Sequence, residues 1–503
     1  MFFAIKEDNG LVYSLIICKF VWQLILFILY IIMNKRITTF ASFLLVALIA
    51  FSQAKAKYVF YFIGDGMGVN LVNATETYQA ALEGKLGIKP LCFPSFPNCA
   101  VVNTSSASAD VTDSAAAGTA LATGHKTKNG TLGMLKDRET PVNSIAQWAH
   151  DAGAAVGVTT SVTVDHATPA AFYAHVGGRG ETFHIGQQLV ATDFDFFAGS
   201  DFDRPQNPNG GADLYQQAKE SGYTVVRGYK EYQKRCKKAD KMILLQSEEA
   251  SKIDRGGLPY AIDQTSSDLN LADITRAAIH FLTKKQQTKD GFFLMVEGGK
   301  IDWLCHANDP AFIPEVIDMD NAVKVAYEFY QQHPDETLIV VTADHETGGF
   351  VLGRGGYNMN LKALSYQRMS ISQLGRELHN LHEKYGEKYG WDVVQNFLKE
   401  NFGLWDTVKL SDDQTARLQK SFQRVIEGKG VDVQSLYQKD SEFAGTVNRI
   451  LSECAKITWG SNDHTAGYVP CFSIGVGAEE LRGRLDNTEL PVKMAKAAGW
   501  PIN

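Results

Sequence analysis

Four short apolar runs, each stopping at a polar cluster, constrain this chain more than any other feature. Residues Tyr58 to Ile63, Ala155 to Thr160, Phe292 to Val296 and Thr337 to Thr342 are dominated by β-branched and aromatic side chains without polar alternation. That is the pattern of strands buried on both faces. Helical patterns lie between them, such as Pro141 to Gly153 and Asp273 to Lys285. Buried strands alternating with helices predict an α/β fold: a mostly parallel central sheet flanked by helices. The runs end in Asp65, in Asp165-His166-Ala167-Thr168, in Glu297 and in Asp344-His345. Parallel sheets gather ligands at the carboxyl ends of their strands. The four clusters are therefore expected to share one site.

The 503 residues divide by composition. Between about 355 and 456 the strand signal stops, and Ile371, Leu374, Leu378, Leu381 and Tyr385 mark one apolar helix face. Ser411-Asp412-Asp413-Gln414 looks like a capping box opening a further helix. This stretch reads as a helical insertion in a catalytic domain spanning 57–503. Upstream, Leu11 to Ile32 is apolar apart from Lys19 and Gln23. Met33-Asn34-Lys35-Arg36 then begins a second pattern: a basic patch, an apolar run from Phe40 to Phe51, and the small-x-small site Ala54-Lys55-Ala56. Residues 33–56 are expected to be a secretory signal cleaved after Ala56, with translation starting at Met33 and 1–32 upstream of it. The competing reading makes about 11–32 a membrane anchor. Either one exports the protein, to the periplasm or beyond, and the first leaves the mature form without a membrane span.

Residues 1–56 carry five basic and two acidic side chains, so their removal takes the formal net charge from −7 to −10. Such an acidic protein is a poor partner for nucleic acid. Any phosphate site must gather its positive charge locally. Six of the seven cysteines follow residue 56, and Cys92 and Cys99 are close enough to pair, but the sequence selects no pairing.

The chemistry centres on Val111 to Thr119, where Asp113-Ser114 leads into Ala115-Ala116-Ala117. This reads as a loop entering a helix, whose free N–H groups and partial positive charge favour a phosphate or a developing alkoxide at Ser114. Small side chains there are expected to give a phosphoryl group clearance. Asp302 and His306 are four apart, so on a helix they share a face and can grip one metal. His464 could complete that set. Asp344 and His345 suit a second zinc with Asp65, and Glu297 suits a harder neighbouring ion.

Taken together, Ile63-Gly64-Asp65-Gly66-Met67-Gly68, Val111 through Thr119, His166-Ala167-Thr168-Pro169, Glu297-Gly298-Gly299 and Thr342 through Gly349 resemble bacterial alkaline phosphatases. Gly124 through Gly133 resembles a further family segment, and the likeness runs from about 58 to 475, weakest in the helical insertion. The resemblance implies an exported phosphomonoesterase of broad specificity with Ser114 as the nucleophile that becomes phosphoserine. It implies one zinc on Asp302, His306 and His464, and a second on Asp65, Asp344 and His345. It implies a magnesium on Asp65, Thr168 and Glu297, and Arg179 as the phosphate clamp. It also implies a homodimer acting on small phosphate monoesters.

The physics agrees with these roles. Zinc can hold a serine hydroxyl as the alkoxide, two metals suit in-line displacement, and an arginine forks two phosphate oxygens. Asp113 is expected either to orient Arg179 or to cap the helix. Two departures stand out: His166 and Trp303 occupy places where some members carry aspartate and lysine. His166 opens the third site to zinc or holds a metal-bound water, and Trp303 removes a positive charge near phosphate. Cys305 reads as buried packing. The competing enzyme reading is a phosphodiesterase or phosphomutase of the same superfamily. Ser114 lacks the neighbours a sulfatase needs, and a non-catalytic metal-binding protein would leave Ser114 without a purpose.

Overall fold

The computed structural model describes residues 19, 21–26 and 55–503, apart from 254–255, 286–289, 431–432 and 435–438. The chain divides into two units, Met1–Ala54 and Lys55–Asn503. In the first, the described residues are helical and exposed. Of the expected signal segment 33–56, only Lys55 and Ala56 lie among the described residues, and the rest falls outside them. Among the described residues, no helix is long and apolar enough to cross a membrane.

The second unit is built on one sheet. Eight strands carry its first part: β1 (Tyr58–Gly64), β2 (Asn98–Asn103), β3 (Ala155–Thr160), β4 (Phe196–Gly199), β5 (Tyr223–Arg227), β6 (Lys241–Leu245), β7 (Phe292–Gly298) and β8 (Thr337–Ala343). A short ribbon strand β9 (Glu346–Thr347) pairs antiparallel with β10 (His464–Thr465). The chain then adds β11 (Val469–Gly475) and β12 (Gly483–Asp486). The sheet order is β12-β2-β11-β8-β1-β7-β3-β4-β6-β5, and every pairing is parallel except those of β11. Every residue of β1, β3, β7 and β8 is buried, so both faces of the central sheet are covered. The expected α/β class, with a mostly parallel sheet flanked by helices, is the observed one.

Four helices shape the site and its supports: α1 (Ser114–Thr123), α2 (Leu271–Lys284), α3 (Lys300–His306) and α4 (Phe312–Gln332). Helix α2 lies on β3, β4 and β7. It comes close because Gly157 has no side chain: a Cβ there would stand 2.9 Å from Leu282. Between β9 and β10 the chain makes helices Ile371–Tyr385, Trp391–Phe402, Asp412–Ile426 and Glu442–Ala455. The capping box at Ser411 and Gln414 is formed with both of its reciprocal bonds. Buried Asp309, just past α3, anchors the start of this stretch by accepting from Gln367 Nε2 at 2.8 Å and the Ile371 N–H at 2.7 Å. The fold engages the chain from Ala56, which is buried and donates its N–H to Ala497 O at 2.9 Å. Cys92, Cys99 and the other four cysteines of this unit are free thiols.

Candidate active site

Strand register builds the site. In the sheet, β8, β1, β7 and β3 are consecutive neighbours. Gly64 pairs with both Gly298 and Ala343, and Thr160 pairs with Glu297. The residues that follow or end these strands therefore arrive at one level: Asp65 after β1, Glu297 in β7 and Asp344-His345 after β8. All four are fully buried.

Helix α1 delivers Ser114 to the same place. Asp113 is its N-cap, with extended backbone and a carboxylate that accepts from the Ala116 N–H at 3.0 Å. Ser114 is the first helical residue, and its Oγ lies 3.2 Å from His345 Nε2. The small residues behind it serve packing. Ala115, Ala116 and Ala117 are buried in the interior, and a Cβ on Gly118 would stand 3.2 Å from Ala171 Cβ and 3.3 Å from Thr168 Cα. At these positions, then, the expected clearance for a phosphoryl group is instead the close approach of α1 to the turn carrying Thr168.

Three groups of side chains have ligand atoms within 4.8 Å of one another: Asp302, His306 and His464; Asp65, Asp344 and His345; and Asp65, His166 and Glu297. In the first, His306 Nε2 is 3.3 Å from Asp302 Oδ2, and His464 Nε2 is 3.6 Å from Asp302 Oδ1. In the second, His345 Nε2 is 3.2 Å from Asp344 Oδ2 and 3.4 Å from Asp65 Oδ1. The ribbon of β9 and β10 joins the two groups by stacking the His345 and His464 rings 3.6 Å apart.

In the first two groups, each imidazole is aimed by the bond its other nitrogen makes. His306 Nδ1 lies 2.5 Å from Asn462 O, His464 Nδ1 lies 2.8 Å from Thr112 O, and His345 Nδ1 lies 3.2 Å from Thr347 Oγ1. Carbonyl partners select the Nδ1–H tautomer, leaving Nε2 lone pairs directed into the site. Thr347 also donates to Asp302 Oδ1 at 2.5 Å. Sequence reading missed Thr347, Asn462 and Thr160, which donates to Glu297 Oε2. Proximity signals Thr347, two residues past His345, and Asn462, two before His464, whereas Thr160 reaches Glu297 only through strand pairing.

Arg179 is half-buried, and the structure gives Asp113 both of its expected tasks on different oxygens. Oδ1 accepts from the Ala116 and Gly130 N–H groups, each at 3.0 Å, while Oδ2 pairs with Arg179 Nη1 at 3.2 Å. Arg179 Nη2 stands 3.5 Å from His166 Nε2. Trp303 lies beside His166, with ring centroids 6.1 Å apart. Thr168 is fully buried. Cys305 is fully buried, as expected for packing.

The electrostatics show what the site is prepared to receive. Burial first, and then the charges of Asp344, Asp302 and Glu297, raise Asp65 well above the usual carboxylate range. Burial and Asp302 raise Asp344 likewise, and burial pushes Glu297 up to about 7. Burial also opposes ionisation of Asp302, yet His306, His464 and His345 hold it low. His166 is pushed down to about 3 by burial and the Arg179 guanidinium, and His345 is held low by burial and His464. Both imidazoles are thereby kept neutral, the form that binds metal. Neither oxygen of Asp65, nor Asp344 Oδ2, nor Glu297 Oε1, receives a hydrogen bond. Clustered buried carboxylates with oxygens left unpartnered are costly unless cations compensate them. The donor sets fit divalent metals.

The alkaline phosphatase family model matches residues 56–500. Alkaline phosphatase 3 of Bacillus subtilis is 29% identical over 467 residues, covering 90% of this chain and 91% of its own. The cold-active alkaline phosphatase of a psychrophilic Shewanella shares 27% identity at a TM-score of 0.72, covering 88% of this chain and 99% of its own. A histidine-to-aspartate variant of the alkaline phosphatase from the Antarctic bacterium TAB5, described with Mg bound in its M3 site, shares 25% identity at a TM-score of 0.62 and covers 90% and 100%. A match across nearly the whole sheet-based unit, on a site assembled at four strand ends, places this chain in the alkaline phosphatase family: it is an alkaline phosphatase, a phosphomonoesterase.

Proposed function

We propose that the chain hydrolyses small phosphate monoesters through a phosphoserine on Ser114, with divalent metals held by the three side-chain groups. The observation that carries this reading is the 3.2 Å approach of Ser114 Oγ to His345 Nε2, at the meeting point of Asp65 and Asp344. Asp302, His306 and His464 would hold one zinc; Asp65, Asp344 and His345 would hold the other, since mixed nitrogen and oxygen donors suit that ion. Asp65 and Glu297, with Thr168, would hold magnesium, and His166 opens that third site to zinc. The TAB5 variant described with Mg bound in its M3 site supports magnesium in the third group. When bound, the metals supply charge stabilisation at the nucleophilic, leaving and non-bridging oxygens.

The chain's own groups then do the rest. Ser114 presents its oxygen from the first turn of α1, whose N–H groups face the incoming negative charge. Arg179, steadied by Asp113, grips two non-bridging oxygens of the dianion. The neutral imidazoles of His345 and His166 leave that charge to the metals and Arg179. Ser114 Oγ gives up its proton to solvent as the phosphoryl group passes to it from the ester oxygen, and the alcohol departs with a proton from water. Water then attacks phosphorus from the vacated side, releasing phosphate and restoring the serine.

Turnover of p-nitrophenyl phosphate against bis-p-nitrophenyl phosphate tests the substrate class. The monoester should be favoured, and Arg179→Ala should weaken monoester turnover and phosphate inhibition by about 10- to 100-fold, the worth of a lost charged hydrogen bond, with little effect on the diester. A wild-type preference for the diester would overturn the reading.

The basic, signal-like leader supports export. Sequencing the N-terminus of the secreted protein should give Lys57 if cleavage follows Ala56. A start at Lys55 would instead retain the buried Ala56 and its bond to Ala497 O, and a chain still carrying residues 11–32 would favour the anchor.

A further inference from the structure

One face of α3 carries a residue that the proposed chemistry does not use. Lys300 is the first residue of that helix and is fully buried, an unusual place for an ammonium. Its Nζ lies 3.6 Å from the centroid of the Tyr260 ring and 4.6 Å from the Trp303 ring. Lys300 and Trp303 are three apart on one helix, so their side chains meet on the same face. Tyr260 is also fully buried and closes the other side. Gly257 seals the assembly: a Cβ there would stand 2.8 Å from Lys300 Nζ and 3.2 Å from Trp303 Cζ3. From α4, buried Glu315 accepts from the Ala261 N–H at 2.6 Å; burial pushes its carboxyl up to about 8, and the nearby Lys300 ammonium opposes that rise.

A methionine or leucine would fill this space without needing a counter-charge. What the cation adds is direction, because an ammonium is attracted to the face of a ring and not to its edge. The indole so held leads onward to the site. Trp303 meets His166 edge to face, at 6.1 Å and 66°, and His166 Nε2 stands 3.5 Å from Arg179 Nη2. His166 also belongs to the third side-chain group with Asp65 and Glu297.

We infer that Lys300 is a positioning residue: held between Tyr260 and Trp303, its ammonium fixes the indole against His166 and thereby sets the third metal group and the phosphate grip of Arg179. The inference rests on the proposed roles of those two groups in phosphate monoester hydrolysis.

Lys300→Met and Lys300→Arg, each made in the wild type and in Trp303→Phe, provide the test. Lys300→Met should weaken inhibition by inorganic phosphate and raise the magnesium concentration for half-maximal activity, each by about 3- to 10-fold. Lys300→Arg should recover most of both. In the metal-free protein, the Trp303 emission, obtained by subtracting the Trp303→Phe spectrum, should shift in Lys300→Met. In the Trp303→Phe background, Lys300→Met should change neither phosphate inhibition nor magnesium requirement further. If Lys300→Met lowers only Tm, or if its kinetic effect persists undiminished without the indole, the inference is wrong. Should Lys300→Met fail to fold, Tyr260→Leu removes the other ring and must give the same direction of change. A wild-type protein inactive on monoesters would count against the proposed function instead, and the emission measurement would still judge Lys300.

Discussion

Ser114→Ala should lower kcat/KM for p-nitrophenyl phosphate by about 10³-fold or more, while metal content and Tm stay near their wild-type values. Ser114 is buried and caps nothing: the N-cap bond of α1 belongs to Asp113, and each of the three side-chain groups has its Asp, Glu and His ligand atoms together without the Ser114 hydroxyl. Removing one hydroxyl therefore removes the atom that accepts the phosphoryl group and little else. Residual turnover is expected, because Arg179 and the metal groups would still bind and polarise the ester. Metal analysis beside the kinetics decides the point. If activity survived and metal were lost, Ser114 would be a structural contact of His345 and not the nucleophile.

Stripping the metals should have a second large effect, with a definite dependence on pH. Activity should fall by about 10³-fold, several kcal/mol of charge stabilisation, and return on adding zinc and magnesium. The stripped protein should also lose stability as pH rises from about 6.5 to 8. Unfolded carboxyl groups have released their protons well below this window, whereas folded Glu297 keeps its proton until about 7 and Asp344 until about 8. The folded state then binds more protons than the unfolded one, so stability declines with pH, by at most about 1.4 kcal/mol per group per unit. His306, raised above its ordinary 6.5, adds to the same trend. His166 and His345, held low, pull the other way only where their unfolded counterparts protonate, below about 6.5. Thermal unfolding at pH 6.5 and 8, with and without metal, checks this. A stripped protein equally stable at both would mean that burial and neighbouring charge do not hold these carboxyl groups protonated in the fold.

Much of this site was legible because its parts sit where chain and sheet share a rule. Asp65, Glu297 and Asp344 end strands that are continuous apolar runs, and parallel register carries strand ends to one level. Asp302 and His306 needed only the spacing of a helix. Arg179 was different. It stands in a loop whose place depends on the pairing of Leu132 with Val176 and on its own N–H bonding to Gly130 O, and no local pattern announces either. His464 could be named but not placed, because its approach needs the ribbon pairing with Thr347 across the insertion. Lys300 gave no signal, lying inside a motif read for its neighbours. The residues after Ser114 were misread for a simple reason: small side chains look the same whether they make room for a ligand or for a neighbouring helix.

The ribbon has an evolutionary consequence. Glu346 and Thr465, bonded across it, are 119 residues apart, and everything between them enters and leaves through one narrow neck. Two ligand-bearing segments are thus pinned to each other independently of the length of chain that separates them. Closing a longer or shorter excursion costs only about 0.6 kcal/mol per doubling. The helices between 355 and 456 are consequently the part of this enzyme most free to be exchanged, trimmed or enlarged among relatives while the chemistry beneath stays put.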